Sequence, residues 1–245
     1  MVPVMSTWFE AGHVAVVTGG SRGLGKEVAR ALLSRGLRVI VDGRDADALE
    51  TARMELGAVG PIVAIAGDVA DKHHAHALIA AADSLGRLDL LVNNASTLGE
   101  IPLPRVDQLS SEAFDDLFAV NVFAPIHLTQ HALRLMRRGN ARGTIVNITS
   151  DAAVEAYPTW GGYGATKAAL EHVSRVLATE LEGTAIRVLV ADPGDMNTQM
   201  HRDAIPDADP GELRDPADVA RALLQAIAGM KAPYERVRLS VPATA

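Results

Sequence analysis

Short apolar runs rich in β-branched residues recur along the chain, at Val14 to Val17, Val39 to Val41, Ile62 to Ile65, Leu90 to Val92, Ile145 to Ile148 and Ile186 to Val190. Runs of this length without alternation read as strands buried on both faces. Between them apolar positions recur at helical spacing, as in Asp47 to Leu56 and in Lys26 to Ser34, which Gly36 follows as a C-cap signal. Two helical stretches are longer, Glu112 to Arg138 and Tyr163 to Glu182. Strand and helix alternate throughout, and that alternation builds βαβ units into a parallel sheet. The pattern predicts an α/β fold: a doubly wound parallel sheet of about seven strands with helices on both faces, as one domain over residues 1–245. Ligands of such sheets gather beyond the strand C-termini, so chemistry belongs in the loops that follow strands. Residues 197–215, dense in Asp and Pro, interrupt the alternation and read as a substrate lid or as a plain surface loop.

Composition narrows the partners. A net charge of −7 supplies no basic stripe for phosphate contacts, and 4% aromatic content supplies few stacking platforms, so nucleic acid is not expected. With no cysteine, disulfides, thiolate nucleophiles and cysteine-based zinc sites are excluded, and a reducing, cytoplasmic location is the simplest expectation. The first twelve residues carry Glu10 in a short apolar stretch and no basic start, so they do not read as a signal peptide; Met5 is an alternative start. No apolar run approaches the roughly 20 residues of a membrane span.

The first strand runs into Thr18-Gly19-Gly20-Ser21-Arg22-Gly23-Leu24-Gly25, which opens a helix. Backbone N–H groups and the helix dipole at such a turn suit a pyrophosphate, and glycine permits its close approach. Farther on, Tyr163 and Lys167 are four residues apart at the head of a long helix, on one face. A free phenol has a pKa of about 10, and a nearby ammonium favours the phenolate. Ser150 lies thirteen positions before Tyr163 at a strand's end, and Asn121 lies within the preceding long helix.

Together these motifs resemble the short-chain dehydrogenase/reductase family, in its non-extended, single-domain branch. The glycine spacing resembles its TGxxxGxG pattern, and Asp68-Val69, Asn93-Asn94-Ala95 and Pro193-Gly194 follow in family order. One departure is Ser96, where the family usually has glycine. The resemblance implies a Rossmann-like fold and an oxidoreductase that moves a hydride between a nicotinamide and a carbonyl carbon. It implies that Tyr163 gives or takes the proton at oxygen and that Ser150 hydrogen-bonds that oxygen. Lys167 would hold the nicotinamide ribose and depress the Tyr163 pKa, and Asn121 would anchor a relay water. Cofactor contacts are carried onto Gly19, Ser21, Arg22, Gly23, Leu24, Gly25, Arg44, Asp68, Val69, Asn94, Ala95, Tyr163, Lys167, Pro193, Gly194 and Met196.

The second strand ends Val41-Asp42-Gly43-Arg44. An acidic residue at its end would bond the ribose 2′-hydroxyl of NAD, whereas arginine would clamp the 2′-phosphate of NADP. The family alignment puts Gly43 at the discriminating position, with Arg44 and Arg22 as phosphate cations, and this favours NADP. A strand ending one residue earlier would give the position to Asp42 and favour NAD. Asp151, Tyr157, Trp160, Asp195 and Met200 flank the catalytic set as a candidate substrate pocket, acidic enough to suit neutral or cationic substrates. His73, His74 and His76, and the pair His127 and His131, read as structural or surface histidines, with no metal site. The expected activity is NADP(H)-dependent reduction of a small or medium ketone or aldehyde. The alternatives are an NAD-dependent alcohol or sugar dehydrogenase and a non-catalytic dinucleotide sensor or scaffold. The resemblance also implies subunit pairing through the two long helices as a homodimer, with a tetramer left open; Tyr234 to Val241 lacks the family's Asp-Gly-Gly ending.

Overall fold

Along β1 (Val14–Val17), Val14 and Val16 point to one side of the sheet and Ala15 and Val17 to the other, and all four are fully buried. That is the two-sided burial a central parallel strand requires. The computed structural model describes residues 9–138 and 142–240, so Met5, the chain's first eight residues and Val241 lie outside the described residues. Around β1 lie β2 (Arg38–Gly43), β3 (Ile62–Ala66), β4 (Leu90–Asn93), β5 (Arg142–Ile148), β6 (Ala185–Asp192) and β7 (Tyr234–Arg238). They form one seven-stranded sheet, parallel at every pairing, in the order β3-β2-β1-β4-β5-β6-β7.

Helices α1 (Gly23–Leu33), α2 (Ala46–Gly57) and α8 (Pro216–Gly229) bury Leu32, Leu56 and Leu223 against one face. On the other face, α3 (Lys72–Ser84), α5 (Ala124–Arg138) and α6 (Gly161–Glu180) bury Leu78, Leu128 and Ala178. None of these helices is long and apolar enough to cross a membrane. The chain winds from β1 outward to β3, then returns to lay β4 beside β1, so the loops after β1 and β4 meet at the switch point where such sheets bind ligands.

Three sequence expectations change in detail. Although β3 reads as a fully buried strand, Val63 is 39% exposed, because β3 is the sheet's edge. The long helix expected over 112–138 is α4 (Ser111–Phe118), a π-turn (Ala119–Phe123) and then α5. A π-turn holds one residue more than the α-helical repeat, and such turns gather at functional sites. The irregular stretch 197–215 contains a short helix, α7 (Gln199–Ala204), and its ends are held together by backbone pairing of Met196 with Arg214 and the bond from Asn197 N–H to Arg214 O at 2.9 Å.

Candidate active site

At the head of α1, Gly19 and Gly25 are required by packing. Gly19 has φ +67°, and a Cβ there would lie 3.0 Å from Asn94 Nδ2. At Gly25 it would lie 2.2 Å from the carbonyl oxygen of Gly19. Thr18 knits the two loops together: its Oγ1 accepts the N–H groups of Asn94 and Ala95, both at 3.0 Å, while Asn94 Nδ2 donates to Thr18 O at 2.8 Å. Asp45, Asp71, Ser110, Thr198 and Asp215 cap α2, α3, α4, α7 and α8 through their side chains, whereas α1 has neither a side-chain cap nor an acidic residue in its first turn. Open N–H groups beside a glycine turn are what a pyrophosphate needs, so these residues fit a nicotinamide dinucleotide.

At the end of β2, Asp42 turns inward. Its Oδ1 accepts the Gly19 N–H at 2.6 Å and its Oδ2 faces His74 Nε2 at 3.0 Å, both side chains being buried. Strand alternation then directs Gly43 the other way, toward Ser21, and leaves Arg44 exposed beyond it. Arg22 is exposed as well, and neither guanidinium makes an ion pair or hydrogen bond with another described residue. After β3, Asp68 and Val69 are half-buried, with Asp68 Oδ1 accepting the Ala70 N–H at 2.9 Å. After β6, Gly194 has φ +65° and donates its N–H to Asp192 Oδ1 at 2.9 Å. The Arg214 guanidinium secures this turn by bonding Pro193 O at 3.2 Å and Leu239 O at 2.6 Å.

The structure gathers Asn121, Ser150, Tyr163 and Lys167 around the ends of β4 and β5. The π-turn buries Asn121 completely. Its Oδ1 accepts from Thr97 N–H at 2.9 Å and Ser96 Oγ at 3.0 Å, and its Nδ2 donates to Thr97 O at 2.9 Å and Thr166 Oγ1 at 3.1 Å. Ser150 leads from β5 into a single 3₁₀ turn (Asp151–Ala153), accepting the Ala152 N–H at 3.2 Å and donating to Asp151 Oδ1 at 3.0 Å. A Cβ on Gly164 would lie 2.5 Å from Ala152 O, so glycine lets the head of α6 settle against that turn. Tyr163 and Lys167 sit one helical turn apart, with Lys167 Nζ 5.4 Å from the Tyr163 ring centre and 3.0 Å from Ile148 O, to which it donates.

Trp160 meets the Tyr163 ring edge-on, 5.7 Å between centroids, and packs with Leu98, Leu103, Ala152 and Ala204 around it. Tyr157 is exposed and donates to Asp151 Oδ2 at 3.3 Å. Between the two aromatics, Thr159 has φ +71°, the only non-glycine residue at positive φ among the described residues. Such a conformation is costly for a β-branched side chain, and strain of this kind collects at functional sites. Tyr157 and Trp160 also line an open cavity of about 970 Å³ whose walls include Val106, Val154 and Gly164 but none of the four gathered residues. Asp195 and Met200 sit instead on the α7 segment, where Asp195 pairs with His201 at 3.5 Å and Met200 is 36% exposed. Thr18, Ser96, Thr97 and Thr166 tie this centre together without having stood out as site residues. For Ser96 the signal was its departure from the expected glycine.

Burial pushes the Tyr163 phenol up to about 12; a hydrogen bond with Ser96 opposes the shift, and the charges of Asp151 and Asp192 add to it. Burial lowers the Lys167 ammonium to about 8. The expectation that Lys167 depresses the Tyr163 pKa is therefore not met in the protein alone. Lys167 lies over the ring and spends a hydrogen on Ile148 O, and desolvation dominates. Between about 8 and the ordinary 10.5 of a free lysine, the unfolded chain binds a proton at Lys167 that the folded chain does not, so the stability of the cofactor-free protein should rise with pH across that window. Urea midpoints at about pH 8 and pH 10 should reveal this rise, and Lys167→Met should flatten it. An unchanged slope in that variant would rule out the depressed lysine.

Comparison with known proteins places this geometry in context. Residues 13–209 match the family model for short chain dehydrogenase. The rhamnolipids biosynthesis 3-oxoacyl-(acyl-carrier-protein) reductase of Pseudomonas aeruginosa is 37% identical over 197 residues, covering 78% of this chain and 76% of that protein. An NADPH-dependent aldehyde reductase-like chloroplastic protein of Arabidopsis thaliana is 32% identical over 206 residues, covering 79% and 76%. Among solved structures, 7α-hydroxysteroid dehydrogenase in complex with NADH and 7-oxo glycochenodeoxycholic acid superposes with a TM-score of 0.84 at 28% identity, over 96% of this chain and 95% of that one.

Proposed function

Because the chain belongs to the short-chain dehydrogenase/reductase family of oxidoreductases, which interconvert CH–OH and carbonyl groups with NAD(P), we propose that it reduces a small or medium ketone or aldehyde with NADPH. The observation that carries the cofactor choice is the inward Asp42. With both carboxylate oxygens engaged by Gly19 and His74, Asp42 is not turned to meet a ribose 2′-hydroxyl, and Asp45 beyond it caps α2. Arg44 and Arg22 stand free there to receive a 2′-phosphate in charge-assisted hydrogen bonds. Arg44→Ala should weaken NADPH binding about tenfold to a hundredfold and leave NADH binding nearly unchanged, as read by fluorescence titration. Tighter binding of NADH than NADPH by the wild-type protein would overturn the proposal and favour oxidation of an alcohol with NAD.

The nicotinamide, when bound, supplies or accepts the hydride. This chain's residues handle the oxygen. Tyr163 gives its phenolic proton to the carbonyl oxygen as charge develops there, and Ser150 turns its hydroxyl from Asp151 to bond the same oxygen. Lys167 holds positive charge beside the phenolate so formed, and Asn121 fixes the 96–97 loop against α6. A sensor or scaffold would need none of these four side chains, and their assembly supports catalysis instead. The segment 197–215 acts as the lid over the substrate, supported by the packing of Ala204 of α7 in the Tyr163 cluster. The working form is a cytoplasmic homodimer paired through α5 and α6, supported by the exposed Val173 and Val176 on α6 and the exposed Phe123 at the end of the π-turn that leads into α5.

A further inference from the structure

The neighbouring histidines of α3 part company in the structure. His73 and His76 are exposed, whereas His74 is buried where the loops after β1, β2 and β3 converge. Its Nε2 lies 3.0 Å from Asp42 Oδ2, and the other oxygen of that carboxylate accepts the Gly19 N–H at 2.6 Å. The Asp42 carbonyl also accepts the Gly20 N–H at 2.8 Å, so one residue holds two successive peptide units of the glycine loop. Gly67, just after β3, makes room for the ring, since a Cβ there would lie 2.2 Å from His74 Nδ1. An ionised carboxylate only accepts, so His74 presents its Nε2–H to Asp42. Asp42 is 1% exposed, and a carboxylate oxygen buried so deeply is costly unless a donor meets it. Gly19 meets one oxygen and His74 meets the other.

We propose that His74 is a positioning residue for the dinucleotide, acting through Asp42 to hold the Gly19 N–H and with it the loop that receives the pyrophosphate. This rests on the reading that the loop after β1 binds that group. Without the imidazole, Asp42 Oδ2 would be buried with no donor, and the carboxylate would turn toward water and release Gly19. Gly19 has φ +67°, and a glycine freed of its hydrogen bond has many other conformations open to it. The loop would then have to be ordered again each time pyrophosphate binds, and that cost falls on affinity. Pyrophosphate is common to NADPH and NADH. His74 therefore governs how tightly either is held and has no part in the choice between them, in contrast to Arg44, which is assigned to the 2′-phosphate alone.

His74→Leu should raise the dissociation constants of NADPH and NADH by the same factor, about tenfold, in fluorescence titrations of the purified protein. His74→Gln, whose amide nitrogen can take the place of Nε2, should restore most of the affinity for both. A second measurement needs no cofactor. Amide exchange followed by NMR should find the Gly19 N–H protected in the wild-type protein and fast in His74→Leu, with Leu78 and Ile79 of α3 protected in both. If His74→Leu fails to fold by circular dichroism, His74→Asn, whose amide stops short of Asp42, serves in its place. Unchanged affinities in the folded variant, a loss confined to one dinucleotide, no rescue by glutamine, or protection lost across α3 would each overturn the proposal alone. Binding of neither dinucleotide by the wild-type protein would instead overturn the reading of the loop on which it rests.

Discussion

Tyr163→Phe should lose about a thousandfold in turnover while binding dinucleotide as the wild-type protein does. The substitution removes one oxygen and keeps the ring. The edge contact with Trp160, the packing with Leu98 and Ala152, and the approach of Lys167 to the ring face all survive it. What disappears is the phenol held within the apolar cluster, and with it the group that can protonate a developing alkoxide. Steady-state rates on any carbonyl compound that the wild-type protein reduces, set beside equilibrium titrations of the nucleotide, separate the two effects. A variant with unimpaired turnover would assign proton transfer to another group; a variant with impaired nucleotide affinity would mean that the hydroxyl is part of the binding surface.

The second large effect is expected at Gly25. A Cβ at this position would sit 2.2 Å from Gly19 O and 2.5 Å from Asn94 Nδ2. The first of these is backbone and cannot swing aside, so Gly25→Ala must displace the loop between β1 and α1, and with it the Thr18 bonds that hold Asn94 and Ala95. Overpacking of this kind costs about 1–3 kcal/mol, which in a domain of this size lowers the melting temperature by roughly 3–10 °C. Dinucleotide affinity should fall more than about a hundredfold, because helix N–H groups that bind an anion must hold their geometry. Gly23 is the contrasting case. Its φ is +55°, yet a Cβ there would touch nothing nearer than the Thr198 methyl at 3.4 Å, so Gly23→Ala pays for backbone strain and leaves the loop in place. Thermal melts and nucleotide titrations of both variants test the distinction, and equal losses would refute it.

Most of the sheet was legible because two-sided burial leaves an unbroken apolar run rich in β-branched residues, as in Val14 to Val17, that no amphipathic helix resembles. At β3 the same cue misled, since Ile62 to Ile65 looks apolar enough for the interior yet lies at the edge, with no further strand beyond it among the described residues. The tetrad's spacing could be read along the chain. The state of its members could not: the Tyr163 and Lys167 side chains face each other as their spacing requires, but burial decides their protonation, and burial is a property of the packed whole. Asp42 was ambiguous for a related reason. Its partner His74 is 32 residues away, and only the parallel pairing of β2 beside β1, with α3 packed beneath, brings carboxylate and imidazole within 3.0 Å. Ser96 stood out as an exception to a pattern, with nothing to say that its hydroxyl would meet the Asn121 amide.

The turn at Ala119–Phe123 bears on how the chain tolerates change. An extra residue within a helix advances every later side chain by about 100° around the axis. Leu117 before the turn and Leu128 after it both reach buried positions with that advance already included. Deleting one residue between them would restore regular winding and rotate one of the two stripes toward solvent, whereas a deletion in the surface segment at 205–211 would meet no such phase requirement. The helix therefore keeps count across the turn that holds Asn121, and length variation in this protein should be tolerated in its loops and rejected there.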